Sequence, residues 1–222
     1  MNLSQCEGDR CFLTGCDENT QWMLPWFIET YRKFNTLPLV FVDFGVTQEM
    51  RSWLYQTNYV QIIDVEKQNV GGWFYKPKAL YNSPYRYTCW IDTDIEILGD
   101  LSSIFNYVDA NKLAMVEDKP WTRRRGERWH NSGVVAIDGK PPILKKWLLE
   151  CTRNPKVGDQ EVLHEILSGS PMLKLMHIVD LPDIYNWLRL QLVDGYDSDK
   201  KLCMHWTGPK GKNQIRKLID NG

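Results

Sequence analysis

Residues 89–94 read Cys-Trp-Ile-Asp-Thr-Asp, an apolar run that closes on two carboxylates spaced two apart. On a strand, side chains repeat every second residue. Asp92 and Asp94 then leave from one face, with roughly 6–7 Å of backbone between them at ~3.3 Å per residue. Such a pair suits a hard divalent cation held by oxygen, with water and substrate phosphates completing the shell. Acidic pairs at strand ends also occur as plain solvated caps, so spacing alone leaves both readings open. His205 ends another strand-like run. An imidazole ligates a metal only when neutral and well oriented, and a merely hydrogen-bonded histidine is the commoner state. Asn131 offers two donors and an acceptor, enough to read hydroxyl groups, and Gly133 permits a close backbone approach; a simple turn is the alternative. Asp159 opens a helical pattern, where capping and the helix dipole already favour an acid.

Strands and helices alternate along the chain, the grammar of an α/β fold. A short apolar run at 11–16 leads to polar residues 17–20, which can cap a helix carrying Met23, Phe27, Tyr31 and Phe34 at spacings of 4, 4 and 3. Pro25 is tolerated in its first turn. Strand 37–44, helix 48–55 and strand 60–65 complete two β-α-β units. Gly71 and Gly72 break the pattern, a short helix begins near Lys76-Pro77, and the β-prone run 87–91 delivers Asp92. This order predicts a mainly parallel sheet with ligands at its carboxyl edge. Beyond Asp94 the sheet becomes mixed. Expected there are a short helix at 100–107, a strand at 112–116, a charged loop at 117–130 and a strand at 133–137. Helices at 143–153 and 159–167 follow, then strand-like runs at 173–179 and 201–205.

The 222 residues predict one domain spanning 1–222 and enough chain for a sizeable core. Hydrophobic residues at 43% and charged residues at 25% are those of a soluble globular protein. With 27 basic and 28 acidic side chains, no acidic tail or basic arm dominates, and no nucleic-acid partner is expected. No apolar window reaches the ~18 residues of a membrane span. The N-terminal stretch has neither a basic nor an apolar leader segment, so a cytoplasmic location without a transmembrane segment is expected. The six cysteines, at 6, 11, 16, 89, 151 and 203, lack zinc-site spacing and are expected as free buried thiols. Ten tryptophans suit both a core and a carbohydrate-stacking face.

Six fragments together resemble the GT-A glycosyltransferases, and within them family 8, the group of glycogenin and the lipopolysaccharide galactosyltransferases. The likeness runs from about residue 11 to 212. Asp17-Glu18-Asn19 after the first strand is similar to the family's D-x-N; Lys76 lies 16 residues before Asp92 where the family has a basic residue; Asp92 and Asp94 form the D-x-D. His130-Asn131-Ser132-Gly133-Val134 looks like F-N-S-G-V with histidine in place of the aromatic, and Gly158-Asp159-Gln160 looks like G-D-Q. His205-Trp206-Thr207-Gly208 looks like the start of H-x-x-G-x-x-K-P-W, with Gly211 where the lysine would stand and Lys210 and Lys212 on either side. Separations of 37, 28 and 46 residues link Asp94, Asn131, Asp159 and His205 in the family's order.

The resemblance implies a GT-A fold, an α/β/α sandwich with a mainly parallel central sheet. It implies a transferase that moves a sugar from a nucleotide diphosphate donor, a UDP-hexose by preference, to a hydroxyl of a carbohydrate or other acceptor. Asp92, Asp94 and His205 would hold the metal. Asp17, Asn19, Lys76, Asp92, Gly208 and Lys210 would bind the nucleotide. Asn131, Ser132, Asp159 and Gln160 would bind the sugar, with Asp159 and Gln160 nearest the reaction. Two carboxylates and an imidazole favour Mn2+ somewhat over Mg2+. The configuration would be retained, a phosphate oxygen of the leaving group taking the acceptor's proton. An inverting transferase, with a GDP- or other sugar nucleotide and Asp159 or Asp183 as general base, is the alternative. So is a sugar-nucleotide binding protein that no longer transfers. A nucleotidyltransferase or a nicotinamide dehydrogenase lacks its glycine-rich phosphate loop here. The basic run 121–129, bounded by two tryptophans, reads as a solvated loop, a nucleic-acid contact or, the favoured functional reading, a lid that excludes water as the competing acceptor.

Overall fold

The structure is a computed structural model that describes residues 9–57, 60–65, 71–155 and 157–221. A seven-stranded sheet runs in the order β3-β2-β1-β4-β7-β6-β8. Its strands are β1 (Arg10–Cys16), β2 (Leu39–Asp43), β3 (Val60–Asp64), β4 (Tyr87–Ile91), β6 (Leu113–Glu117), β7 (His130–Asp138) and β8 (Ile178–Leu181). Four of the six pairings are parallel; β7 is antiparallel to both β4 and β6. A small second sheet sets β10 (Cys203–His205) between β5 (Ile95–Ile97) and the short β9 (Trp187–Leu188).

Strands buried on both faces explain the unbroken apolar runs that mark β1, β2 and β4. Phe12, Phe41 and Cys89 face α1 (Leu24–Phe34) and α2 (Gln48–Gln56), where Phe27, Ile28, Tyr31 and Leu54 close one core. Leu13, Val40 and Trp90 belong to the other core with Leu80 of α3 (Lys76–Tyr81), Trp147 of α5 (Pro142–Arg153) and Leu163 of α6 (Asp159–Leu167). The result is the expected α/β/α layering. The α1 stripe is read correctly through Tyr31, but Phe34 is exposed and Leu24 and Ile28 complete the buried face instead. Cys11, Cys16, Cys89, Cys151 and Cys203 are buried, and Cys6 lies outside the described residues.

Two local expectations fail for the same reason, an overlooked cap. Residues 117–130 are not a loop: α4 (Lys119–Arg125) starts where the Asp118 carboxylate accepts from Trp121 N at 3.1 Å and ends at Gly126, whose φ of +71° favours glycine. Arg123 and Arg124 both pair with Asp194, just beyond α8 (Arg189–Val193), so the first part of the basic run, through Arg125, is an anchored helix. Residues 173–179 are not a strand either. Ser170 caps α7 (Pro171–His177), and β8 begins only at Ile178. The strand expected at 133–137 starts three residues earlier, which places Asn131 and Ser132 inside β7. The helix expected at 100–107 is a 3-10 turn over Ser102–Tyr107.

Candidate active site

Chain topology brings the chemistry-bearing residues to one sheet edge. From β1 the chain turns to β2 on one side, while β4 pairs with β1 on the other, so a crevice opens beyond the carboxyl ends of β1 and β4. Asp17 follows β1 there, and Asp92 follows β4. Because β7 runs antiparallel to β4, its beginning lies beside the end of β4: Ile91 faces Val134, and Asp92 N donates to Gly133 O at 2.9 Å. Asn131, Ser132 and Gly133 thereby reach Asp92. Antiparallel pairing of β10 with β5 sets His205 opposite Ile95, and Trp206 N donates to Asp94 O at 3.0 Å. The start of α6 completes the ring, held by Trp147 Nε1 donating to Asp159 O at 2.9 Å.

These residues line a cleft of about 630 Å³. Asp92 and Asp94 sit in the turn joining β4 to β5, closed by Ile95 N donating to Asp92 O at 3.2 Å, so the extended-strand geometry expected for the pair is replaced by a tighter one. One ligand atom each from Asp92, Asp94 and His205 lie within 4.8 Å of one another. His205 Nε2 is 3.1 Å from Asp94 Oδ1. Burial pushes the Asp94 carboxyl up, but neighbouring His205, with Lys212 and Lys76, more than offsets this and holds it below the usual carboxylate range. Burial likewise disfavours the His205 imidazolium, and Asp94 outweighs it and raises the imidazole above its ordinary value.

Lys76, the first residue of α3, is buried at the centre. Its Nζ lies 3.0 Å from Asp92 Oδ1 and 3.2 Å from Asp159 Oδ2, and donates to Ser132 O at 2.9 Å. Burial pulls the ammonium down, yet Asp159 and Asp92 together raise it above a free lysine. For Asp159 the balance reverses: burial raises its carboxyl above the usual range despite Lys76. Asp17 Oδ1 accepts from Thr20 N and Oγ1 at 3.2 and 2.9 Å, and Asn19 Nδ2 donates to its other oxygen at 3.4 Å, which fixes the turn after β1 at the far end of the cleft. Gly72 covers Asp17 so closely that a Cβ would stand 3.1 Å from Oδ2, and the half-exposed Trp73 lines the same end.

Three buried residues that the sequence reading passed over hold the site together. Trp90 Nε1 donates to Asp92 Oδ1 at 2.6 Å, two residues along the strand. Asp118, already engaged as the α4 cap, accepts from Asn131 Nδ2 at 3.1 Å and Gln160 Nε2 at 3.2 Å. Asn186, fully buried before β9, accepts from His205 Nδ1 at 3.0 Å and donates to Asn131 Oδ1 at 2.9 Å. The i, i+2 spacing and the Asp-Lys-Pro cap are signals for Trp90 and Asp118; Asn186 carries none. Gly208, with φ +71°, lines the cleft at the start of α9 (Gly208–Asp220). Lys210 is the one expected site residue that the structure sets apart: it is exposed on α9 and does not line the cleft, whereas Lys212 does. Gly211 between them is buried, and a Cβ there would stand 2.0 Å from Trp206 O, so no lysine fits where the motif would put one.

Similar architecture recurs in solved structures. The galactosyltransferase LgtC, solved with donor and acceptor sugar analogs, superposes with a TM-score of 0.64 over 95% of each chain at 14% identity. The chain has the GT-A glycosyltransferase fold. Its likeness to LgtC agrees with the family 8 resemblance carried by the motifs. The glycosyltransferase GlyE of Streptococcus pneumoniae TIGR4 matches with a TM-score of 0.62 at 18% identity, over 90% of this chain and 55% of that one. Mouse xyloside xylosyltransferase 1 matches with 0.58 at 11% identity, over 88% and 96%. No protein-family model and no curated protein sequence matches the chain. Among the described residues of this GT-A chain, no helix is long and apolar enough to cross a membrane.

Proposed function

We propose that this protein is a metal-dependent glycosyltransferase that moves a hexose from UDP to an acceptor hydroxyl with retention of configuration. The observation that carries the reading is the convergence of Asp92, Asp94 and His205 at the carboxyl edge of a GT-A sheet. The donor set fits Mn2+ or Mg2+: two carboxylates and an imidazole, beside a buried lysine that neutralises only part of the local charge. The acids lining the cleft, Asp17, Asp92, Asp94, Asp118, Asp159 and Glu161, outnumber its lysines Lys76 and Lys212. A diphosphate entering so acidic a cleft meets repulsion that two lysines do not offset. Bound by Asp92, Asp94 and His205, the cation would supply Lewis-acid stabilisation of the departing diphosphate.

The chain's own residues take the remaining roles. Asp17 and Asn19 present hydrogen-bonding groups to the base at one end. Thr207, whose buried Oγ1 has no hydrogen-bond partner among the described residues, and Gly208 open α9 toward the diphosphate, with Lys212 one turn further on replacing Lys210. Asn131, Ser132, Asp159 and Gln160 face the sugar, Lys76 holding Asp159 in place. Retention is supported by the two acids that would serve inversion: Asp159 is engaged by Lys76, and Asp183 is paired with Lys119 at 2.5 Å away from the cleft lining. Incubation with UDP-hexoses and Mn2+, with water as the acceptor, followed by UDP release and by NMR of the freshly released hexose before it mutarotates, tests this. Metal-dependent release with an axial product from an axial donor is expected; donor consumption unchanged in excess chelator overturns the metal role.

A further inference from the structure

Asn186 occupies no surface and lies in none of the motifs, yet it joins the metal side of the cleft to the sugar side. Its orientation follows from its neighbours. The Asp118 carboxylate only accepts, so Asn131 must turn its Nδ2 toward it, 3.1 Å away. Independently, Gly133 N is a backbone donor at 2.9 Å from Asn131 Oδ1, which fixes the same orientation. Asn131 Oδ1 therefore accepts the 2.9 Å bond from Asn186 Nδ2. Asn186 Oδ1 is left facing His205 Nδ1 at 3.0 Å, and that nitrogen must be the donor. The chain of bonds thus has one sense, from His205 through Asn186 and Asn131 to Asp118.

We infer that Asn186 is a positioning residue that holds the proton of His205 on Nδ1, so that Nε2, the nitrogen facing Asp94, is the one that gives up its proton to a cation, and couples that imidazole to the sugar-facing Asn131. The inference rests on the metal role proposed above. Partners of this kind that fix a ligand's tautomer typically contribute 10–100-fold to metal affinity. Two substitutions separate its halves. Asn186→Leu removes both bonds. Asn186→Asp keeps an acceptor for His205 Nδ1 but sets a second carboxylate oxygen against Asn131 Oδ1, which cannot turn without abandoning Gly133 N.

The test is calorimetric titration of Mn2+ alone, then of UDP in saturating Mn2+, into wild type and both variants, each checked by circular dichroism. Asn186→Leu should weaken Mn2+ binding at least about tenfold. Asn186→Asp should bind Mn2+ at least as tightly as wild type while its transfer to the acceptor falls through the loss of Asn131. A folded Asn186→Leu protein that binds Mn2+ like wild type overturns the inference alone; wild type that binds no Mn2+ overturns the metal role itself. Should Asn186→Leu fail to fold, 15N NMR of wild-type His205 with Mg2+ decides: a protonated, pyrrole-type Nδ1 is expected, and a pyridine-type Nδ1 overturns the proposal.

Discussion

The imidazole of His205 fits against Gly133 only because that residue has no side chain: a Cβ there would stand 2.3 Å from Cε1 and 2.6 Å from Nδ1 of the histidine. Neither partner is on a mobile segment, since Gly133 lies inside β7 and His205 inside β10. Gly133→Ala must therefore displace His205 or strain the strand. Overpacking of this kind costs about 1–3 kcal/mol. The variant should melt earlier and bind Mn2+ more weakly; thermal unfolding and a Mn2+ titration check both, and an unchanged dissociation constant would count against His205 as a ligand.

Lys76 is the buried counter-charge of two carboxylates. Lys76→Met leaves the buried Asp159 and the partly exposed, cleft-lining Asp92 without their counter-charge, a loss of up to about 3–5 kcal/mol, the range for a broken buried pair. Asp159→Asn added to that variant should recover part of the loss, because it removes one of the stranded charges. Denaturant unfolding of the single and double variants reads this, and a Lys76→Met protein within about 1 kcal/mol of wild type would contradict the account.

On α9 the two lysines should behave oppositely. Lys212→Ala removes a cleft-lining cation; a hydrogen bond from it to a bound diphosphate would be worth about 1.5–3 kcal/mol, so UDP affinity in Mn2+ should fall about tenfold or more. Lys210→Ala, on the exposed side, should leave UDP affinity within about twofold. Equal effects in paired calorimetric titrations would sink the distinction.

Away from the cleft, Asp180 joins β8 to β7. Its hydrogen bond with His130 at 2.9 Å lowers its carboxyl most; partial burial opposes this, and Arg128 adds to the lowering. The folded group thus titrates below its unfolded value near 3.9. The stabilisation is complete above that unfolded value and is lost as pH falls through the folded one. The margin of wild type over Asp180→Asn should close as pH falls through the folded carboxyl's range. A gap that widens toward acid would contradict the sign.

The parts legible in the sequence are those written as local pattern. Apolar runs at β1, β2 and β4 announce strands buried on both faces, and the carboxylates that follow β4 announce the cleft edge. What escaped depends on partners distant in sequence. Asn186 gains its place from His205 and Asn131, 19 and 55 residues away, and no periodicity marks it. The charge density at 123–125 predicts a solvated loop, but the Asp118 cap and the Gly126 stop make residues 119–125 a helix. Lys210 and Lys212 stand equally close to the motif's lysine position in sequence, and only helical rotation separates them, turning Lys210 to solvent and Lys212 to the cleft.

If the proposed function holds, this acidic cleft takes a nucleotide diphosphate only through a cation held by Asp92, Asp94 and His205. Calorimetric titration of UDP with Mn2+ present and again in excess chelator measures it most directly. Binding that needs Mn2+ and disappears in Asp94→Asn is the predicted result; UDP bound equally tightly in chelator would contradict it.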